Sequence, residues 1–270
     1  MKKRNMCFIT IIVVISMVAF IPFYYTVIMS THSSDEIAKG LRFFPGTYLL
    51  NNLKTVLTPE FFTAFKNSVI VSVAATFFSV LFSAMAGYAL VAYQARWKNL
   101  ISGVIMLTMM VPPSLGMIGY MQEMSAMGLT GTLIPLILSW LPNGFGVFWM
   151  QQYFKASLHM ELVESARVDG CNELKTFFRI VLPCCKPAVI SNCLVIFLWS
   201  WNSYMLPLVM TNKVENYTIP LYIQGLGDQY RTDQAAQITG LLLALLPLII
   251  AFAIFSKDFI RGLTDGAVKQ

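Results

Sequence analysis

Charge is what this sequence has least of. Asp, Glu, Lys and Arg make up only 12% of its 270 residues, against roughly a quarter in soluble domains. With 57% of residues hydrophobic, so little charge cannot clothe a water-soluble globule, and a bilayer is the natural solvent. Histidine is scarcer still. His32 and His159 lie far apart, which argues against a histidine-rich metal site and against a Ser/His or Cys/His catalytic pair. No Gly-x-x-x-x-Gly-Lys-Ser/Thr run occurs, so the chain carries no phosphate loop with which to hydrolyse nucleotide itself. Cysteine is present in an odd number, five. Cys7 and Cys193 fall in apolar stretches, and Cys171, Cys184 and Cys185 in or beside a segment expected in the reducing cytoplasm, so all five read as small apolar fillers.

What is there is a pattern of long gaps between charges. Six stretches of 20 residues or more carry no Asp, Glu, Lys or Arg: 5–34, 67–95, 99–122, 124–154, 187–212 and 234–256. A helix crosses the hydrocarbon core in about 20 apolar residues, and in lipid the backbone must satisfy its own hydrogen bonds. The expectation is an all-α, polytopic membrane protein forming one domain of six spans, near 8–29, 67–93, 100–121, 133–152, 187–210 and 235–255. Basic residues set the orientation. One side would hold thirteen, including Lys2, Lys3, Arg4, Lys155, Arg167, Lys175 and Lys257, and the other six. Both termini are therefore expected in the cytoplasm, with external loops at 30–66, 122–132 and 211–233, a long cytoplasmic loop at 153–186 and a cytoplasmic tail at 256–270. The net charge of +6 is a topology signal here. Basic residues are spread over several loops with no aromatic interleaving, which argues against nucleic-acid binding. The first span follows a basic start but no small-x-small cleavage site, so it reads as an uncleaved span.

Pro112-Pro113, Pro135 and Pro142 are expected to kink the third and fourth spans. Such kinks either shape a translocation path or simply bend helices. Proton- and ion-coupled carriers usually keep ionisable groups inside the membrane; the six charge-free windows point instead to a transporter driven from outside itself. The alternative is a channel or secondary carrier that works without an ATPase.

The segment from Glu161 to Pro183 contains Leu162, Ala166, Leu174, Phe177 and Phe178 at three-to-four spacing, which predicts two short amphipathic helices. Gly170 suits the left-handed position ending the first, Asn172 can cap the second, and Pro183 marks its end. The product is a helix–turn–helix elbow. Physical chemistry alone leaves open whether it meets a protein or lies on lipid headgroups.

The elbow resembles the cytoplasmic signature loop of permease subunits of ATP-binding-cassette importers: Glu-Ala-Ala, three residues, Gly, nine residues, Ile, one residue, Leu-Pro. This sequence has Glu164-Ser165-Ala166, then Gly170, then Ile180, then Leu182-Pro183, with Ser165 its one departure. Trp199-Ser200-Trp201-Asn202-Ser203-Tyr204, Pro207-Leu208, Tyr217-Thr218-Ile219-Pro220-Leu221 and the tail 261–269 resemble the carbohydrate branch, and within it the six-span maltose-permease G-type subunits.

That resemblance implies a non-catalytic subunit of a bacterial inner-membrane sugar importer. It would partner a second permease, usually a different chain, two ATPase subunits that bind ATP and Mg, and an external sugar-binding protein, with no cofactor of its own. Glu164 and Asp169 would supply charged contacts to an ATPase, Ala166 and Gly170 would permit close approach, and Leu182-Pro183 would tie the elbow to the fifth span. The loop 211–233 would reach the binding protein and the tail the ATPase. Trp199, Trp201, Asn202 and Tyr204 have the chemistry of a sugar path, since sugars stack on aromatic faces and bond to amides; packing or a membrane-interface belt is the competing reading.

Overall fold

The computed structural model describes residues 2–227 and 232–267, with side chains described from 8 to 227 and 232 to 260 and at Met6. The basic side chains of Lys2, Lys3 and Arg4, Cys7, part of the loop 211–233, and the side chains of the tail 261–269 lie outside the described residues. Among the described residues fifteen α-helices follow in chain order: α1 Lys2–Met29, α2 Ser34–Ala38, α3 Leu49–Val56, α4 Pro59–Ala92, α5 Lys98–Met110, α6 Met117–Ala126, α7 Ile134–Leu138, α8 Gly144–Ser157, α9 Met160–Val168, α10 Glu173–Thr176, α11 Leu182–Cys184, α12 Lys186–Trp201, α13 Met205–Met210, α14 Ile219–Gln224 and α15 Gln234–Ala267. No strand occurs among the described residues beyond an isolated bridge between Gly227 and Thr232.

Among the described residues three stretches are apolar and long enough to cross a membrane unbroken: Phe8–Met29, Pro59–Ala92 and Gln234–Ile260. The other three charge-free windows are interrupted. At Pro112-Pro113 the chain turns by 91° between α5 and the helical segment that ends with α6. Two prolines in succession remove two N–H donors and bar the helical conformation just before them. The fourth window is divided into α7 and α8 by residues 139–143. Helix α7 stops at Leu138, before Pro142, and Asn143 caps α8, its side chain accepting from Gly146 N at 2.8 Å. The fifth window holds α12 and α13, parted at residues 202–204, and an 85° bend precedes it at Cys185.

By contacts the chain forms two compact units. The first comprises residues 1–62 and 219–246. In it the segment after α1 is tied by polar side chains. Asn52 Nδ2 donates to the carbonyls of Ser30 and His32, each at 2.8 Å, and Ser34 Oγ donates to Asp233 Oδ1 at 2.7 Å. Ser33 and Glu36 form a capping box on α2. His32 sits between Glu36 Oε2 (3.1 Å) and the Phe44 carbonyl (2.9 Å).

The second unit comprises residues 63–218 and 247–270. Here helices approach through glycine. A Cβ on Gly87 of α4 would lie 2.9 Å from Gln151 N of α8, and one on Gly144 would lie 2.6 Å from Thr108 Oγ1 of α5. Small residues at contacts are how membrane helices gain packing without a hydrophobic drive between them. Side chains add to the backbone bonds: the Pro135 carbonyl accepts from Ser139 N at 3.2 Å and also from the Tyr120 hydroxyl at 2.7 Å. Much apolar surface stays exposed, as on Phe77, Leu107 and Ile250, which a lipid solvent tolerates.

Candidate functional site

The elbow forms as its residues dictate. Helix α9 ends in paired backbone bonds, Gly170 N to Arg167 O (3.1 Å) and Cys171 N to Ala166 O (2.9 Å), with Gly170 at φ +79°. This is the Schellman arrangement, in which a left-handed residue closes the helix. Two residues on, Asn172 Oδ1 accepts from Lys175 N at 2.8 Å and opens α10. Pro183 stands one residue before the end of that helical segment, which is not a plain α-helix. Residues Phe177–Val181 form a π-turn, Leu182 N reaches back to Phe177 O, and helix continues to Cys184. Proline stands in the first turn of that last piece, where its missing N–H costs least.

The buried face is also rotated from the one expected. Val163, Ala166, Phe177 and Val181 turn inward, whereas Leu162, Leu174 and Phe178 stand about half exposed. Val163, Phe177 and Val181 join one cluster with Ala84 and Tyr88 of α4, Met150, Tyr153 and Phe154 of α8, and Cys185 and Ala188 around the start of α12. Leu182 packs against this cluster. Phe177 lies 5.7 Å and Phe154 6.3 Å from the Tyr88 ring. Burial pushes the Cys185 thiol up to about 12, which leaves it an inert filler.

A polar clasp closes the elbow. Arg167 holds Glu173 with two bonds, Nε to Oε1 at 2.8 Å and Nη2 to Oε2 at 3.2 Å. Its guanidinium lies 5.6 Å from the centre of the Tyr93 ring, and Tyr88 donates its hydroxyl to Glu173 Oε2 at 3.4 Å. The Arg167 hydrogen bonds, and then one from Tyr93, hold the Glu173 carboxyl below the usual carboxylate range. A depressed folded value contributes stability above the ordinary carboxylate range and loses it as pH falls through that lower value. The protection of amides 172–181 against hydrogen exchange, relative to their intrinsic rate at each pH, should therefore be unchanged from neutral to mildly acidic pH. It should fall only below the ordinary range, and Glu173→Gln should erase that dependence.

On the outer face Glu164, Ser165, Asp169 and Gly170 are exposed, and Val168 is 87% exposed. A Cβ on Gly170 would meet nothing within 4 Å, so backbone conformation, not crowding within the chain, demands glycine. Ala166 faces the chain's own core. Ile180 is half-buried and Pro183 exposed.

The four aromatic-segment residues stand in different surroundings. Trp201 is 2% exposed, edge-on to Phe65 at 5.6 Å and stacked on Phe197 at 5.8 Å, a packing residue. Asn202 returns its Nδ2 to Leu198 O at 2.8 Å, and Tyr204 precedes α13 half-buried. Only Trp199 presents a ring, 45% exposed and 5.0 Å from Phe145. Among the described residues no group of His, Cys, Asp and Glu is placed to hold a metal ion.

Residues 79–264, which contain the whole elbow, match the family of binding-protein-dependent transport system inner membrane components. The chain belongs to this family. It is thus an inner-membrane permease subunit, a transport role rather than a catalytic one. The permease is 32% identical over 260 residues to the arabinooligosaccharides transport system permease protein AraQ of Halalkalibacterium halodurans, covering 94% of this chain and 93% of that one. It is 30% identical to the lactose transport system permease protein LacG of Rhizobium radiobacter, covering 95% and 94%. Its fold matches a chain of a bacterial transporter that imports the polysaccharide alginate, with a TM-score of 0.79 at 21% identity over 94% of this chain and 96% of that chain.

The clasp and its aromatic seat, Arg167, Glu173, Tyr88 and Tyr93, were not among the residues that the sequence pattern singles out. The available signal was two opposite charges flanking the predicted Gly170–Asn172 turn.

Proposed function

We propose that this permease forms half of the translocation path of a sugar importer and couples an ATPase to it through the elbow 153–186. The membrane domain crosses six times, with both termini in the cytoplasm. Two ATPase subunits bind ATP and Mg and close on each other; this chain binds neither. A second, different permease completes the path, and an external binding protein delivers the sugar near the loop 211–233. Sugar is favoured as cargo because relatives over nearly the full length are named for arabinooligosaccharides and lactose.

The observation that carries this reading is the two-faced elbow. Val163, Phe177 and Val181 are buried against α4, α8 and α12, while Glu164, Val168 and Asp169 project outward. A partner seated on the outer face would move three helices at once through the packed inner one. Glu164 and Asp169 supply charge to that partner, and Val168, Leu174 and Phe178 supply apolar contact. Gly170 leaves room for its approach, Ile180, Leu182 and Pro183 transmit the motion into α12, and Ser165 keeps the outer face small. Trp199 is the one aromatic residue of its segment that remains available to a path.

Affinity purification from native membranes in mild detergent tests this assembly. Two ATPase chains should accompany each pair of permeases, and ATP hydrolysis should rise when loaded binding protein is added. Recovery of the permease with transport activity but no ATPase would favour an autonomous channel or carrier.

A further inference from the structure

Within the second unit lies a polar feature that the elbow does not use. Ser72, Ser79 and Ser83 follow one face of α4 and are all but fully buried, and none of their hydroxyls has a hydrogen-bond partner among the described residues. Across from them, in the middle of α12, Asn192 is 0% exposed. Neither its Nδ2 nor its Oδ1 has a partner among the described residues.

Ser83 and Asn192 meet at Gly146 of α8, with Ser79 one helical turn before Ser83 on α4. A Cβ on Gly146 would collide with Ser83 Oγ and lie 3.2 Å from Asn192 Nδ2. A hydroxyl and an amide from two helices thus converge on the bare backbone of a third. The nearby buried amide, Gln151, shows the ordinary solution, its Nε2 donating to Ser102 Oγ at 2.9 Å. Buried polar groups are nearly always satisfied, by protein or by ordered water, and in a low-dielectric interior an unpaired amide is costly.

We infer that Asn192, Ser79 and Ser83 form an internal hydration site that binds ordered water at the junction of α4, α8 and α12. The ligand class follows from the donor set. One amide and two hydroxyls offer both donors and acceptors with no net charge, which suits water, itself both donor and acceptor, and gives nothing to hold an ion. A buried water typically makes two to four hydrogen bonds to such groups. A side chain at Gly146 would run into Ser83 Oγ, so bare backbone is what lets the Ser83 hydroxyl and the Asn192 amide come this close to α8. Water at this junction also lets the three helices that hold the elbow exchange polar partners as they shift, a trade a dry apolar contact does not permit.

The test is water-edited solid-state NMR on the assembled transporter in lipid bilayers, with this chain labelled with side-chain 15N-asparagine. The Asn192 Nδ2 resonance is assigned by its disappearance in Asn192→Leu. Polarisation from water should reach it as quickly as it reaches the exposed Asn202, and in Gly146→Ala, where a methyl fills the convergence point, that rapid transfer should be lost while Asn202 is unchanged. Slow transfer to Asn192 in the unmodified chain would overturn the inference. So would rapid transfer that persists in Gly146→Ala, because the water would then lie elsewhere.

Discussion

Gly170→Pro should abolish ATP-driven uptake while the chain remains in the membrane at normal abundance. Gly170 holds φ +79°, and its N–H bonds to Arg167 O. Proline cannot reach positive φ and has no N–H, so the link between α9 and α10 would be remade in another direction. The membrane helices do not depend on that turn, hence the separation of insertion from function. Gly170→Ala grades the effect: a left-handed alanine costs about 1–2 kcal/mol, and uptake should fall without vanishing. Glu164→Lys probes the outer face instead. It touches no packing, because Glu164 is exposed, yet it reverses a charge offered to the ATPase and should also eliminate uptake. Labelled-sugar uptake in membrane vesicles, normalised to permease content, reads all three. Normal uptake by Gly170→Pro or Glu164→Lys would sink the docking assignment.

Phe154→Ala should uncouple the elbow from within. Phe154 is 0% exposed at the end of α8, against Tyr88 and the cluster that receives Val163 and Phe177. Removing a buried aromatic ring costs about 3–5 kcal/mol, a large share of any local stability. The expected result is a permease that inserts but whose amides at 160–181 exchange quickly and whose ATPase hydrolyses ATP without uptake. Phe154→Leu restores most of the volume and should recover much of the transport. Protected elbow amides in Phe154→Ala would show that the cluster does not hold the elbow.

The elbow was legible where single residues have special conformational roles. Gly170 at a left-handed position and Asn172 at a cap are local chemistry, and both stand where their side chains require. The buried face was not legible, for a geometric reason. A π-turn places one more residue per turn than an α-helix expects, so the phase read from Leu174, Phe177 and Phe178 slips across Phe177–Val181. A nine-residue α9 is also too short for spacing to choose between Leu162 and Val163. The apolar windows foretold helices, Pro112-Pro113 foretold a bend, and Pro183 foretold the helix end two residues before Cys185, but composition carries no bend angle, neither the 91° of the first nor the 85° of the second. Trp201 looked suited to sugar because a tryptophan in a polar-aromatic run does so in any sequence; only its neighbours Phe65 and Phe197 reveal a packing role.

Photo-crosslinking from Val168, the most exposed apolar residue of the elbow, asks directly what sits on that face. With p-benzoylphenylalanine at this position in the assembled transporter, irradiation of inside-out vesicles should join the permease to an ATPase subunit, with a yield that changes when ATP is added. Adducts with lipid alone, or with the external binding protein, would contradict the account.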